Sequence, residues 1–171
     1  MKNDTVKNNR PWLQYVVLAI ILFFCFILQS TPVNLFGIQG IRPVFLVVLT
    51  LCSGLVYGEL VGGTIGFCAG MLMDLYVTPS VSFHTFVLTF LGIACGLAIG
   101  HLFMDNALSA LVLCFAGSFV YFSLYWLLFR VILSDGGAWV YYYRFSLPSA
   151  VYTGVLGLVF YPLLRWIRSM A

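Results

Sequence analysis

The sequence predicts an all-α membrane protein: a polytopic bundle of about six transmembrane helices forming one integral membrane domain over residues 1–171. Three observations carry this reading. Hydrophobic residues make up 63% of the chain, charged residues only 8%, and the mean hydropathy is +1.07. Soluble domains hold about a quarter charged residues, so a chain this poor in charge is matched to lipid. A membrane span takes roughly 20 mostly apolar residues, which leaves room for five or six helices and little for a water-soluble domain.

The first element follows a basic start. Lys2, Lys7 and Arg10 precede an apolar run from Trp12 to Leu28. That run is longer than the 7–15 residues or so of a signal-peptide core, and its end, Ile27-Leu28-Gln29-Ser30-Thr31-Pro32, lacks a small-x-small cleavage site. It reads as an uncleaved helix over 12–29. The stretch from Val44 to Val77 would extend about 50 Å as a single helix, against a hydrocarbon core of about 30 Å. A break at Tyr57-Gly58-Glu59 divides it into helices over 43–58 and 60–77. The fourth helix, 83–103, carries His84 and His101 near its ends. A loop from Ser134 to Pro148, turned by Asp135-Gly136-Gly137, separates the fifth helix, 107–133, from the sixth, 148–166.

An even number of spans places both termini on one side. Lys2, Lys7, Arg10, Arg165 and Arg168 flank the ends, against Arg42, Arg130 and Arg144 on the other face. The excess of basic residues assigns the termini to the cytoplasm.

Several function classes are disfavoured. A net charge of +3 without a basic stripe does not suit nucleic acid. Cys25, Cys52, Cys68, Cys95 and Cys114 are odd in number, lack C-x-x-C spacing and lie in apolar runs, which suits packing at helix contacts rather than disulfides or zinc. His84 and His101 are about 25 Å apart along a helix and lack neighbouring ligands, so they read as interfacial histidines and no metal or cofactor is expected. Glu59 and Asp74 are about 22 Å apart, too far for a general acid and base pair; Glu59 reads as a solvated turn residue. No nucleophile elbow, paired-histidine metalloprotease helix or phosphate loop occurs, so no catalytic residue is assigned and a non-enzymatic role is expected.

Gly58, Gly62, Gly66 and Gly70 recur at every fourth residue and end in Asp74, while Gly92, Gly96 and Gly100 repeat the spacing on the fourth helix. Such rows let helix backbones approach closely, and the two are expected to face each other. An ionisable residue in a membrane helix invites a functional reading. One arginine opposite one carboxylate more simply forms a structural lock, so Arg42 and Asp74 are expected to pair. Trp139, Tyr141, Tyr142, Tyr143 and Arg144 crowd the last loop. They fit interfacial anchoring or a partner-docking surface rich in hot-spot residue types.

In combination these residues resemble the MreD family of bacterial rod-shape proteins. The resemblance is carried by Arg42-Pro43, by Gly62, Gly66-Phe67, Gly70 and Asp74, by Thr78-Pro79-Ser80 and by Tyr161-Pro162-Leu163-Leu164 before the basic Arg165 and Arg168; it covers about residues 12–168. Ser80-Val81-Ser82-Phe83 departs from the family's glycine-containing turn before the fourth helix. The resemblance implies a fold similar to the substrate-binding subunits of energy-coupling-factor vitamin transporters. It further implies a non-enzymatic scaffold in the cytoplasmic membrane, partnered by MreC and indirectly by MreB, RodZ, RodA and a class B penicillin-binding transpeptidase in side-wall peptidoglycan synthesis. A vitamin-binding transporter subunit is the alternative, with Asp74, His84 and Trp139 near an outer cavity. A channel or proton relay fits less well, since it needs ionisable groups through the bundle.

Overall fold

The computed structural model describes residues 11–31, 43–77, 82–101, 107–132 and 142–170, and among them it is helical without strands. In chain order the helices are α1 (Pro11–Ser30), α2 (Phe45–Tyr57), α3 (Glu59–Val77), α4 (Phe83–His101), α5 (Ala107–Trp126) and α6 (Leu147–Met170). The end of α5 widens into π-helical turns over Leu127–Ile132, and a second π-helical turn, Tyr142–Ser146, leads into α6. The aromatic segment expected as loop up to Pro148 is therefore helical from Tyr142 onward.

The core helix is α2. Every residue from Phe45 to Val56 is buried, and α2 packs on all five other helices. Its 13 residues span about 20 Å, well short of a hydrocarbon core of about 30 Å. Its ends are partly buried against neighbouring helices, where free backbone groups need partners. Neighbouring helices supply them. At the start, the Leu46 N–H donates to Gln29 Oε1 of α1 and the Val44 N–H donates to Thr153 Oγ1 of α6, both at 3.3 Å. At the far end the Arg168 guanidinium donates to the Val56 carbonyl, and the Tyr57 hydroxyl donates to the Leu164 carbonyl at 3.5 Å. A cation on the last carbonyls of a helix also opposes its dipole favourably.

These contacts set the polarity of the bundle. The end of α1, the starts of α2 and α6, the end of α3 and the start of α4 lie together, joined also by the Tyr76 hydroxyl donating to the Ser30 carbonyl at 3.0 Å. The start of α1 and the end of α6 fall at the opposite end.

Between α2 and α3 the chain reverses at one residue. Gly58 has φ +94° and ψ −178°, a region essentially restricted to glycine. Its N–H donates to the Gly54 carbonyl at 3.0 Å and its carbonyl accepts from the Gly62 N–H at 2.9 Å, so helical bonding resumes at once on either side. The sequence placed Gly58 in the packing row of the third helix. It is instead the C-cap of α2, and beyond its immediate chain neighbours no atom lies within 4 Å of where its Cβ would be. Gly58→Ala should then lower stability through backbone strain alone, by about 1–3 kcal/mol. The thermal midpoint of the purified protein in detergent reads this, and an unchanged midpoint would show that the turn accepts a Cβ.

Outside the core, large apolar side chains are exposed along α1, α3, α4, α5 and α6, among them Ile20, Phe24, Leu60, Phe86, Phe90 and Val159. Apolar cover on this scale is foreign to a soluble monomer. By length and composition, two described helical stretches, Leu111–Phe129 and Tyr142–Ser169, are long and apolar enough to cross a membrane. Gln14–Ser30, Phe45–Tyr57 and Phe83–Ala98 are shorter apolar helices.

Candidate functional site

The tightest contact in the bundle is between α3 and α4. At its centre three glycines from three helices meet: a Cβ on Gly62 would lie 2.5 Å from Gly54 Cα of α2 and 2.6 Å from the Gly92 carbonyl oxygen of α4. A Cβ on Gly92 would in turn overlap the Gly62 carbonyl, and one on Gly54 would overlap that of Gly92. The same seam continues in both directions. Gly66 faces the Leu88 carbonyl, Gly70 the backbone of His84 and Thr85, and Gly96 the backbone of Gly58 and Glu59. Dispersion and close backbone approach hold membrane helices together, because lipid tails are as apolar as the side chains.

At the Gly70 end the seam is closed by a carboxylate. Asp74, in the last turn of α3, accepts the His84 N–H on Oδ1 at 3.0 Å, and on Oδ2 the Thr85 N–H at 2.8 Å and the Thr85 hydroxyl at 2.6 Å. It thus satisfies two of the free donors at the start of α4 and puts an acidic group at the positive end of that helix. Such charge-assisted bonds are about twice as strong as neutral ones.

Beside this cap lies an aromatic cluster. The His84 side chain is buried at 1% exposure. Its Nδ1 is 2.9 Å from the Tyr121 hydroxyl of α5, and its ring stacks on Tyr125 at 5.8 Å between centroids. Phe83 packs edge-on against Tyr125 and Phe129. His84 Nε2 has no hydrogen-bond partner among the described residues, a condition that costs about 1–3 kcal/mol for a buried polar atom. The expectation of an interfacial histidine is therefore overturned. The ring enters the bundle because the seam pulls the start of α4 against α3, and Tyr121 offers a polar partner there.

A third feature lies on α5. Tyr142, in the π-helical turn before α6, packs on Trp126 at 4.8 Å between centroids and shares a hydrogen bond of 3.1 Å with Ser123. These residues with Phe119, Leu124 and Leu127 line an open apolar groove of about 400 Å³. Tyr143 and Arg144 are exposed next to it, the Arg144 guanidinium 6.0 Å from the Phe145 ring centre.

The family model for the rod shape-determining protein MreD matches residues 9–169, nearly the whole chain. The chain belongs to the MreD family. No match was found among the curated proteins or the solved structures. Membership places the chain in a family of membrane proteins that determine rod shape, structural rather than enzymatic as far as the family is known.

Within this MreD chain the residues singled out from the sequence fare unequally. Gly62, Gly66, Gly70, Gly92 and Gly96 lie in one seam with Asp74 at its end, and Gly100 is in the last turn of α4. Arg42, Trp139 and Tyr141 lie outside the described residues, so the Arg42 to Asp74 pair does too; Asp74 is engaged with the α4 backbone. Cys25, Cys52, Cys95 and Cys114 are buried, Cys52 and Cys114 with their sulfurs 3.6 Å apart. Cys68 is exposed on the outer face of α3 instead of filling a contact. No group of three or more His, Cys, Asp or Glu side chains could hold a metal among the described residues.

Gln29, Gly54, Thr85, Tyr121 and Thr153 were missed. For Gly54 a signal existed, because the four-residue spacing of the glycine row begins there. The others carry none: a single Gln, Thr or Tyr in an apolar run does not tell which distant helix end it will cap.

Proposed function

We propose that this MreD-family protein is a non-enzymatic scaffold of the bacterial elongation machinery, offering a rigid lipid-embedded surface to the membrane helix of MreC. Through MreC it would act with MreB, RodZ, RodA and a class B penicillin-binding transpeptidase in side-wall peptidoglycan synthesis. The observation that carries the reading is the family match over residues 9–169. The disposition of polar side chains supports it: Gln29, Asp74, Thr85, Thr153 and Arg168 are each used to satisfy a helix backbone or its cap. That is how a structural bundle spends its polar groups, whereas a catalytic site gathers them around an open space.

In the same reading all six helices lie in the cytoplasmic membrane as one domain resembling the vitamin-binding subunits of energy-coupling-factor transporters, and both termini face the cytoplasm. Support comes from the start of α1 and the end of α6 lying at one end of the bundle, with Lys2, Lys7, Arg10, Arg165 and Arg168 beside them in sequence. Tyr142, Tyr143 and Arg144 then belong to the outer face, where with Trp139 and Tyr141 they would meet the extracellular part of MreC.

Purification from native membranes in mild detergent, with mass spectrometry of co-purifying proteins, tests the reading. Recovery of MreC with RodA or its transpeptidase is the expected outcome, together with rounding of rods on depletion. Recovery of two ATPases and a large membrane coupling subunit would overturn it in favour of a transporter.

A further inference from the structure

We propose that His84 and Tyr121 form a latch across a seam between α4 and α5, and that opening of this seam admits water to the bundle interior. The inference is independent of the scaffold role, since it concerns how the bundle itself moves.

The packing pattern isolates this seam. The α3–α4 pair is locked backbone to backbone by glycines, α5 and α6 pack extensively on each other, and each pair docks on α2. By comparison α4 and α5, although successive in the chain, touch lightly among the described residues. The hydrogen bond and the ring contacts that join them come from Phe83 and His84 at the start of α4, against Tyr121, Tyr125 and Phe129. Beyond Tyr125 the helix changes to π-helical bonding at Leu127, an irregularity that commonly marks a functional or yielding point in a helix.

The latch residue is incompletely satisfied: His84 Nε2 is buried without a partner among the described residues, and so is Ser118 Oγ, one turn before Tyr121 on the same side of α5. Buried polar atoms are almost always hydrogen-bonded. Leaving both unsatisfied weakens the closed state, and water entering beside His84 and Tyr121 would supply the missing partner of His84 Nε2. The aromatic contacts of Phe83 oppose this, so the balance rests on the His84 to Tyr121 bond.

Natural thiols report on the seam. Further along the same faces, Cys114 of α5 lies beside Cys52 of α2 and against Gly157 of α6, and Cys95 of α4 lies against Gly54 of α2. Cys25 of α1 is buried elsewhere and Cys68 is exposed. The test is N-ethylmaleimide labelling of the full chain in native membranes, with each cysteine followed by mass spectrometry. In the unaltered protein Cys68 should label fast and Cys25, Cys95 and Cys114 slowly. Tyr121→Phe, which keeps the ring and removes the hydroxyl, should raise the rates at Cys95 and Cys114 at least tenfold while leaving Cys25 unchanged. Equal protection of Cys95 and Cys114 in both proteins would overturn the latch. So would a parallel rise at Cys25, which would report general loosening. If Tyr121→Phe does not accumulate, His84→Gln is read by the same criteria.

Discussion

Gly62→Ala and Gly92→Ala should each remove most of the folded protein from the membrane, whereas Gly63→Ala should be tolerated. The three positions look alike in sequence, two of them adjacent, yet they meet different neighbours. A methyl on Gly62 runs into Gly54 Cα and the Gly92 carbonyl, and one on Gly92 into the Gly62 carbonyl. All of these are backbone atoms of helices fixed along their whole length, so relief requires pushing α2, α3 and α4 apart. Overpacking of a dense core costs about 1–3 kcal/mol and sometimes more, and with no side chain free to rotate these two belong at the upper end, about 3 kcal/mol. A methyl on Gly63 meets Ile93 Cγ1 at 2.8 Å, the side chain of a partly exposed residue that can yield by turning about 30° off its rotamer for about 1 kcal/mol. Membrane abundance and the detergent thermal midpoint of the three variants measure the contrast. Equal behaviour of Gly62→Ala and Gly63→Ala would show that the three-helix junction is looser than its geometry.

Asp74→Ala should destabilise by about 2–3 kcal/mol, Asp74→Asn by roughly half as much. Removing the carboxylate strands the His84 N–H, the Thr85 N–H and the Thr85 hydroxyl at a buried helix start. Loss of an N-cap alone costs about 0.5–2 kcal/mol, and stranded buried donors add to it. Asparagine keeps one carbonyl oxygen for a backbone N–H and gives up the charge. Denaturant titration of the purified variants gives the two differences. If Asp74→Ala and Asp74→Asn both unfold with the unaltered protein, the cap contributes nothing. The size of the effect would also bear on His84, since the same turn of α4 presents its ring to Tyr121.

How far each feature was legible depends on the range of the interaction that sets it. The helical class follows from composition, because a chain with 63% hydrophobic and 8% charged residues can satisfy its backbone away from water only within each segment, as helices do. The division at Gly58 was also legible, since a single helix across Val44–Val77 has no membrane thick enough to hold it. The glycine rows announced a close-packed seam, for spacing by four puts them on one helix face. Asp74 stood out as a carboxylate in an apolar run, but its partner did not: the donors it meets belong to a backbone ten residues on, and spacing along the chain does not encode which helix start lies opposite.

The same limit explains His84 and α2. A histidine near a helix end reads as interfacial until a tyrosine 37 residues away closes over it. Nothing in Phe45–Tyr57 distinguishes a central helix from a peripheral one, because a segment that is apolar all round suits protein and lipid alike. In water the hydrophobic pattern would mark the inner face; in a bilayer both faces are apolar, and the choice passes to shape and to caps. Composition and spacing were thus sufficient for the element type, the break at Gly58 and the presence of a glycine seam. Only tertiary packing decided that Gln29, Thr153 and Arg168 close the ends of α2, and that His84 turns inward. Each depends on which atoms from distant parts of the chain come within about 3 Å, a property no local pattern carries.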